Sequence, residues 1–237
     1  VIRRIARAIL WLLPRSTVVP VVSGTLRGSR WILHSGTHGC WAGTYERPVQ
    51  RLFEQFVAKG DVVFDIGANV GFFTLLAAKL VGPTGRVFAF EPLPRNVEYI
   101  ERHLALNRVE NATVLPLALS RAAGVARFNI AESPSMGRLS ESGTLEVETA
   151  SLDELLRSGR IAAPAFIKMD VEGAECDVLN GAKEMLAEHR PAILLSAHGW
   201  QQHELCTAFL QTTGYKLELL RDGAADGDYL VLARFQT

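Results

Sequence analysis

Nine residues, Ile167 to Glu175, read IKMDVEGAE and bring a lysine and three carboxylates together directly after an apolar run. Acids in that setting can hold a metal, take a proton from a nucleophile, or open a helix. Related acids stand upstream. Asp65 lies at the end of DVVFDIGA and opens the loop Asp65-Ile66-Gly67-Ala68-Asn69-Val70-Gly71, while Glu91-Pro92 closes the next apolar run, and His198 closes a later one, AILLSAHG. The carboxyl ends of buried strands are where an open α/β sheet offers groups to a ligand.

The residue types narrow that ligand. Gly67 and Gly71 let the backbone approach it and turn tightly into a helix. An acid ending the following strand can accept hydrogen bonds from the hydroxyls of a ribose. A dinucleotide loop reads G-x-G-x-x-G and sets a pyrophosphate on a helix N-terminus. Here the pattern is D-x-G-x-x-x-G, and Asp65 would repel a pyrophosphate. It would favour a ligand bearing an ammonium and a sulfonium, and S-adenosylmethionine is such a ligand. The alternative, that these are turn glycines only, leaves the placement of Glu91 one βα unit later without a reason.

Positioning these groups requires strand–helix alternation, which the chain supplies from Asp61 onward. DVVFDIGA, GRVFAFEP, ATVLPLALS, AFIKMD and AILLSAHG are expected as buried strands. GFFTLLAAKLVG, PRNVEYIERHLALN, GAECDVLNGAKEMLAEH and QQHELCTAFLQTTG are expected as helices between and after them. Such alternation implies a parallel sheet covered on both faces. After the third strand, VARFNIA and TLEVETA form a small β excursion around a polar loop, SPSMGRLSESG, and a short helix begins near Asp153. YKLELL and DYLVLARF close the chain as an antiparallel pair, since no helix fits between them. Ahead of the alternation, TVVPVVSG and RWILHSG read as short strands and YERPVQRLFEQFVAKG as a helix ended by Gly60.

With these pieces in place, the sequence resembles the FkbM family of S-adenosylmethionine-dependent methyltransferases, within class I. The residues carrying the resemblance are GTYE (43–46), GDVVFDIGANVGFFT (60–74), FAFEPLPRN (88–96), Asn107, and FIKMDVEGAECDVLNGA (166–182). DIGANVG is shared by many methyltransferases; KMDVEGAE is the more specific part. The resemblance implies an α/β fold with a doubly wound, mostly parallel seven-stranded Rossmann-like sheet and a small N-terminal helix/strand extension. Residues 1–44 would form the extension, a lid or oligomer contact, and residues 45–237 the methyltransferase domain. Asp65, Gly67, Asn69 and Gly71 would line the methionine part of the cofactor, and Asp170 would face the methyl donor. Glu91 would take the ribose hydroxyls with Pro92 packing nearby, and Ala118 and Leu119 would sit by the adenine. Tyr45 and Glu46 would open a helix over the cofactor; Glu46 is equally well read as an acid favoured by the helix dipole.

Methyl transfer to a hydroxyl needs a base or a metal to relieve the oxygen of its proton. Asp170, Glu172 and His198 are the candidate catalytic residues, with a polar cap as the alternative for His198. Lys168 shares a face with Asp170 by strand alternation and is expected to pair with it or with Glu172. Glu175 is read as a structural acid at a helix start. His34 and His38 are loop histidines within reach of the mouth; His103, His189 and His203 are expected on helix surfaces. No metal is expected: the strand ending in His198 lacks a following Asp-Asn pair, and Gly173 stands where metal-dependent relatives of the fold carry lysine. Magnesium held by Asp170 and Glu172 is the alternative. The expected activity is O-methylation of a sugar, polyketide or other specialised metabolite. The alternatives are N-methylation of an amine and a non-catalytic cofactor-binding scaffold.

The bulk composition agrees with an enzyme of small molecules. Twenty-five basic residues balance twenty-five acidic ones, which gives no reason to expect nucleic acid as a partner. Residues 1–45 nevertheless hold six arginines and no acid. VIRRIARAILWLLP is too short and too charged to span a bilayer, and is expected to pack on the domain or to rest on a membrane surface. A homodimer contact is a further use for this arm. Cys40, Cys176 and Cys206 are scattered and odd in number, which suits a cytoplasmic setting. The acceptor pocket is expected from residues 1–45, the 121–163 excursion and the Trp200–Gln201 loop. Trp31 and Trp41 are expected to serve packing.

Overall fold

The alternation from Asp61 onward builds one seven-stranded sheet. The computed structural model describes residues 13–130, 137–139, 145–223 and 227–235. Most of the expected basic arm before Pro14 and most of the polar loop 133–143 lie outside the described residues. First come β1 (Val18–Pro20), β2 (Arg30–Ile32), α1 (His38–Ala42) and α2 (Arg47–Phe56). The core begins with β3 (Val62–Ile66), α3 (Phe72–Val81), β4 (Arg86–Phe90), α4 (Pro94–Leu106) and β5 (Ala112–Leu115). A smaller sheet follows, from β6 (Ala118–Leu119), β7 (Gly124–Ile130), β8 (Gly137–Leu139) and β9 (Leu145–Ala150), then α5 (Leu152–Arg157). The core resumes with β10 (Phe166–Met169), α6 (Glu175–Asn180), α7 (Lys183–His189), β11 (Ala192–His198), α8 (Trp200–Thr212), β12 (Tyr215–Arg221) and β13 (Asp228–Phe235).

The order across the main sheet is β12-β13-β11-β10-β3-β4-β5. Strands β5 to β11 run parallel, and β13 lies antiparallel to both β11 and β12, as expected for a closing pair without a helix. The chain enters at β3, winds outward through β4 and β5, and returns on the other side with β10 and β11. That reversal leaves a crevice at the carboxyl ends of β3 and β10.

Strand alternation sorts the side chains into two cores. Phe64, Ile66, Phe90, Ile167, Met169 and Leu195 pack on one face with α6, α7 and α8. Val63, Val87, Phe166 and Leu194 pack on the other with α3 and the N-terminal segment. Asp65 and Lys168 belong to this second face and are register partners on adjacent central strands. Burial on both faces is why these strands are apolar, and it makes a charged pair between them conspicuous.

Three local expectations are corrected. ATVLPLALS is two strands in two sheets, β5 and β6, with Pro116 between them, a residue that cannot donate to a ladder. GAECDVLNGAKEMLAEH is two helices, broken near Gly181. A side chain there would put Cβ 2.2 Å from the Ser120 carbonyl oxygen, and Asp153 caps the second helix by accepting the N–H of Glu184 (3.1 Å) and Met185 (2.9 Å). Gly137–Leu139, within the expected polar loop, is a strand. Among the described residues no helix is long and apolar enough to cross a membrane.

His103 is also not at the surface; it is 1% exposed. Its ring stacks on Trp31 at 3.7 Å between centroids, Nε2 accepts the Ile32 N–H at 3.2 Å, and Nδ1–H donates to the Val70 carbonyl at 2.9 Å. The neutral ring thereby clamps β2 to the glycine loop. Burial pushes its pKa down to about 4. A histidine depressed in this way contributes stability that is present above its unfolded value of 6.5 and is lost as pH falls toward 4. The expected loss is up to about 3 kcal/mol. Urea unfolding at about pH 7 and about pH 4.5 should show a smaller acid loss in His103→Gln than in the parent; equal losses would sink this account.

Candidate active site

The loop after β3 holds three residues at positive φ: Gly67 (74°), Asn69 (51°) and Gly71 (86°). Gly67 is required by space as well, since a Cβ there would lie 1.9 Å from the Asp170 carbonyl oxygen. The loop is thus seated on the end of β10. The N–H groups of Gly67 and Ala68 both donate to the Phe90 carbonyl, at 3.0 and 3.1 Å, which ties it to the end of β4.

Glu91 follows β4 and is 5% exposed. Its Oε2 accepts the Asn69 N–H at 2.8 Å, and its Oε1 accepts the Leu93 N–H at 3.0 Å and the Asn96 amide at 3.2 Å. Burial pushes its pKa up to about 7, against the lowering effect of those donors and of Lys168.

Around these groups opens a cavity of about 490 Å³, within the range of ligand sites. Gly67, Asn69, Glu91 and Pro92 form one side, with Ala118 and Leu119 beside them. Asp170 and Glu172 line it from the end of β10. The N-terminal segment closes it with His34, Thr37, Cys40 and Tyr45. Gly71 and Glu46 stay outside the wall: Gly71 starts α3 against Ile100, and Glu46 is the exposed residue before α2, with φ 41° and no side-chain capping bond. His38 is also outside, accepting the Trp41 Nε1–H at 3.2 Å.

Asp65 does not reach the cavity, which corrects its expected place along the methionine part of a cofactor. It is fully buried on the α3 face, where Oδ2 accepts the Thr74 hydroxyl at 2.6 Å and Oδ1 lies 3.6 Å from Lys168 Nζ. Lys168 also meets Asp170 Oδ2 at 3.4 Å and donates to the Gly67 carbonyl at 3.1 Å. The lysine therefore joins the glycine loop to β10.

The three catalytic candidates converge, although His198, unlike Asp170 and Glu172, is not among the residues lining the cavity and stands behind them. His198 Nε2 lies 3.4 Å from Asp170 Oδ1 and 3.7 Å from Glu172 Oε2. Glu172 (φ 52°) and Gly173 (φ 97°) make the turn that brings the chain back beneath the histidine. Burial raises the Glu172 pKa, with Asp170, Asp228 and Glu175 adding to the effect and His198 opposing it. Glu175 does open α6, but its carboxylate turns inward: it is fully buried, with Oε1 2.6 Å from His198 Nδ1. Burial alone would lower the His198 pKa; the Glu175 hydrogen bond and the charges of Asp170, Glu175 and Glu172 overcome it and push the value up to about 9. Among the described residues, no group of three or more His, Cys, Asp or Glu side chains is arranged to hold a metal ion.

The Methyltransferase FkbM domain family matches residues 65–217, from the buried aspartate into β12. The chain belongs to this family. It is 32% identical over 145 residues to the hexuronic acid methyltransferase AglP of Haloferax volcanii, covering 60% of this chain and 58% of that protein. It is 30% identical over 158 residues to the 31-O-demethyl-FK506 methyltransferase FkbM of Streptomyces tacrolimicus, covering 53% of this chain and 60% of that one. The chain thus spans about three fifths of these relatives' length. Among solved structures, the methyltransferase FkbM of Methylobacillus flagellatus superposes with a TM-score of 0.53 at 18% identity, over 83% of this chain and 53% of that one. At that identity the likeness shows the fold, a Rossmann-like class I methyltransferase sheet.

The segment holding His34 and Cys40 was expected near the mouth, and both residues line the cavity. Sequence reasoning missed the inward face of Glu175, whose one faint signal is an acid seated between Ala174 and Cys176.

Proposed function

We propose that this chain transfers a methyl group from S-adenosylmethionine to a hydroxyl of a small-molecule or glycan acceptor. The reading is carried by the continuity of one cavity from the Glu91 carboxylate to the Asp170–Glu172 edge. The relatives named for a hexuronic acid and for a 31-O position favour the same class of acceptor.

The residues present suit that cofactor. Glu91 Oε2 accepts one protein donor and keeps an acceptor site for a ribose hydroxyl, while Oε1 is already met by two donors that hold the carboxylate in place. Ala118 and Leu119 offer a small apolar wall for adenine. Gly67 admits close backbone approach without an intervening side chain. The bound sulfonium supplies an electrophilic methyl group. The chain's own work is to aim the acceptor oxygen, exclude water and hold the proton released. His198 Nε2, within 3.4 Å of Asp170 Oδ1 and 3.7 Å of Glu172 Oε2, takes that proton in its neutral form, and the two carboxylates stabilise the resulting cation. Tyr45, Cys40 and residues 34–37 serve as the lid over the cofactor, so the N-terminal segment acts with the domain rather than apart from it.

Calorimetric titration with S-adenosylmethionine and its demethylated product tests the cofactor, and transfer of a labelled methyl group to pools of saccharides and polyketide alcohols tests the acceptor. No cofactor binding would overturn the reading. Glu91→Gln should weaken binding by roughly tenfold to a hundredfold or slightly more, since a charge-assisted hydrogen bond contributes about 1.5–3 kcal/mol. The parent should also show affinity falling by up to about tenfold per pH unit below pH 7, because the ribose needs the ionised carboxylate and the Glu91 pKa is about 7 in the empty site. Pure stability runs the other way: the neutral form is favoured by folding, so this contribution is present below the unfolded value of 4.5 and lost as pH rises through 7.

A further inference from the structure

We propose that Glu175 is a positioning residue that holds the His198 ring with Nε2 turned toward the acceptor oxygen; this rests on the methyltransferase reading above. Glu175 Oε1 lies 2.6 Å from His198 Nδ1 and also accepts the Gly173 N–H at 3.1 Å, while Oε2 has no hydrogen-bond partner. A fully buried carboxylate is costly unless a cation or donor meets it, and among the described residues its ion pair is with His198. The turn carrying it is held from α8: Gln202 donates to the Gly173 carbonyl at 2.6 Å and accepts the Cys176 N–H at 3.3 Å. Glu175 therefore presents a fixed acceptor to one ring nitrogen.

This choice of nitrogen has a chemical consequence. When His198 is neutral, the proton on Nδ1 stays with Glu175, and the lone pair of the base falls on Nε2. The groups facing the ring are Asp170 beyond β10, Glu172 on the following turn, Glu175 on α6 and, opposite in register, Asp228 on β13. Asp170 and Glu172 lie at 3.4 and 3.7 Å, too long for good hydrogen bonds, so Glu175 alone makes a close contact that sets the ring's orientation. During transfer, the acceptor O–H bond breaks as the oxygen bonds to the methyl carbon. The proton passes to Nε2, and the thioether leaves neutral.

The test is Glu175→Gln in the full chain, which keeps the side chain's shape and removes its charge. With histidine-labelled protein, the ring resonance of His198, assigned by its absence in His198→Ala, reports the titration in the empty protein. We expect the midpoint to fall by about two pH units, and the rising limb of the kcat/KM profile to move with it. We also expect kcat to drop by about tenfold to a hundredfold, the usual cost of losing a group that orients a functional histidine. Glu175→Asp, charged but shorter, should give a smaller shift, and it carries the test if the Gln variant does not fold. A His198 midpoint within about 0.3 units of the parent in the variant tested would overturn the proposal. Because the resonance is read without cofactor, that result is independent of whether the chain transfers methyl groups.

Discussion

His198→Ala is expected to lower the rate of methyl transfer by about a hundredfold to ten-thousandfold at saturating S-adenosylmethionine, the range over which a positioned general base acts. Cofactor affinity should stay within about threefold of the parent, because His198 lies beside the Asp170–Glu172 edge and not at the Glu91 end of the cavity. The pH profile separates His198 from its neighbours. With its pKa near 9, only about one molecule in a hundred carries the neutral base at pH 7. The parent rate should therefore rise about tenfold per pH unit from 7 toward 9 and then level off. A base other than His198 would not follow the His198 titration across that range. A flat profile together with a near-parental rate in His198→Ala would move the proton to Asp170 or Glu172, which Asp170→Asn and Glu172→Gln would then divide.

Lys168→Met is expected to destabilise the fold by about 3–5 kcal/mol, measured by urea unfolding at neutral pH. The lysine is buried, and burial alone would lower its pKa; Asp170, Asp65 and Glu46 overcome this and push it up to about 12. Removing it leaves Asp65, fully buried, with Thr74 as its hydrogen-bond donor and no cation opposite. The same change frees the Gly67 carbonyl, so the glycine loop loses its tie to β10. Lys168→Met with Asp65→Asn should recover most of the loss, because a neutral amide facing a thioether leaves no unpaired charge. A single variant losing less than about 1 kcal/mol would show that water or rearrangement satisfies Asp65, contrary to its burial. Lys168 pairs with Asp170, as its place on the strand suggested, and with Asp65 as well; among the described residues its ion pairs do not include Glu172.

What could be read from the chain alone was whatever local backbone period decides. The apolar runs in DVVFDIGA, GRVFAFEP and AFIKMD were enough to predict buried strands, and each strand's end placed Gly67, Glu91 and Asp170 at one edge of a sheet. Positive φ at Gly67 and Gly71 follows from residue type, and the closing antiparallel pair from the shortness of its connection. Partners distant in sequence were set by the order in which the strands assemble. Asp65 was read as facing a ligand because it ends a strand at the loop mouth. It faces Lys168 instead, because β10 returns beside β3 in register and sends both side chains to the α3 face. Glu175 looked like a helix-opening acid, and only the seating of α6 beside the end of β11 turns it onto His198. His103 looked like a surface position until β2 folded across α4 and stacked Trp31 on its ring. Sequence by itself determined the sheet and which residues stand at the ends of its central strands, since strand and turn geometry is local. The tertiary structure decided which of those charges face the cavity and which neutralise one another, since that depends on contacts that form only when distant segments pack.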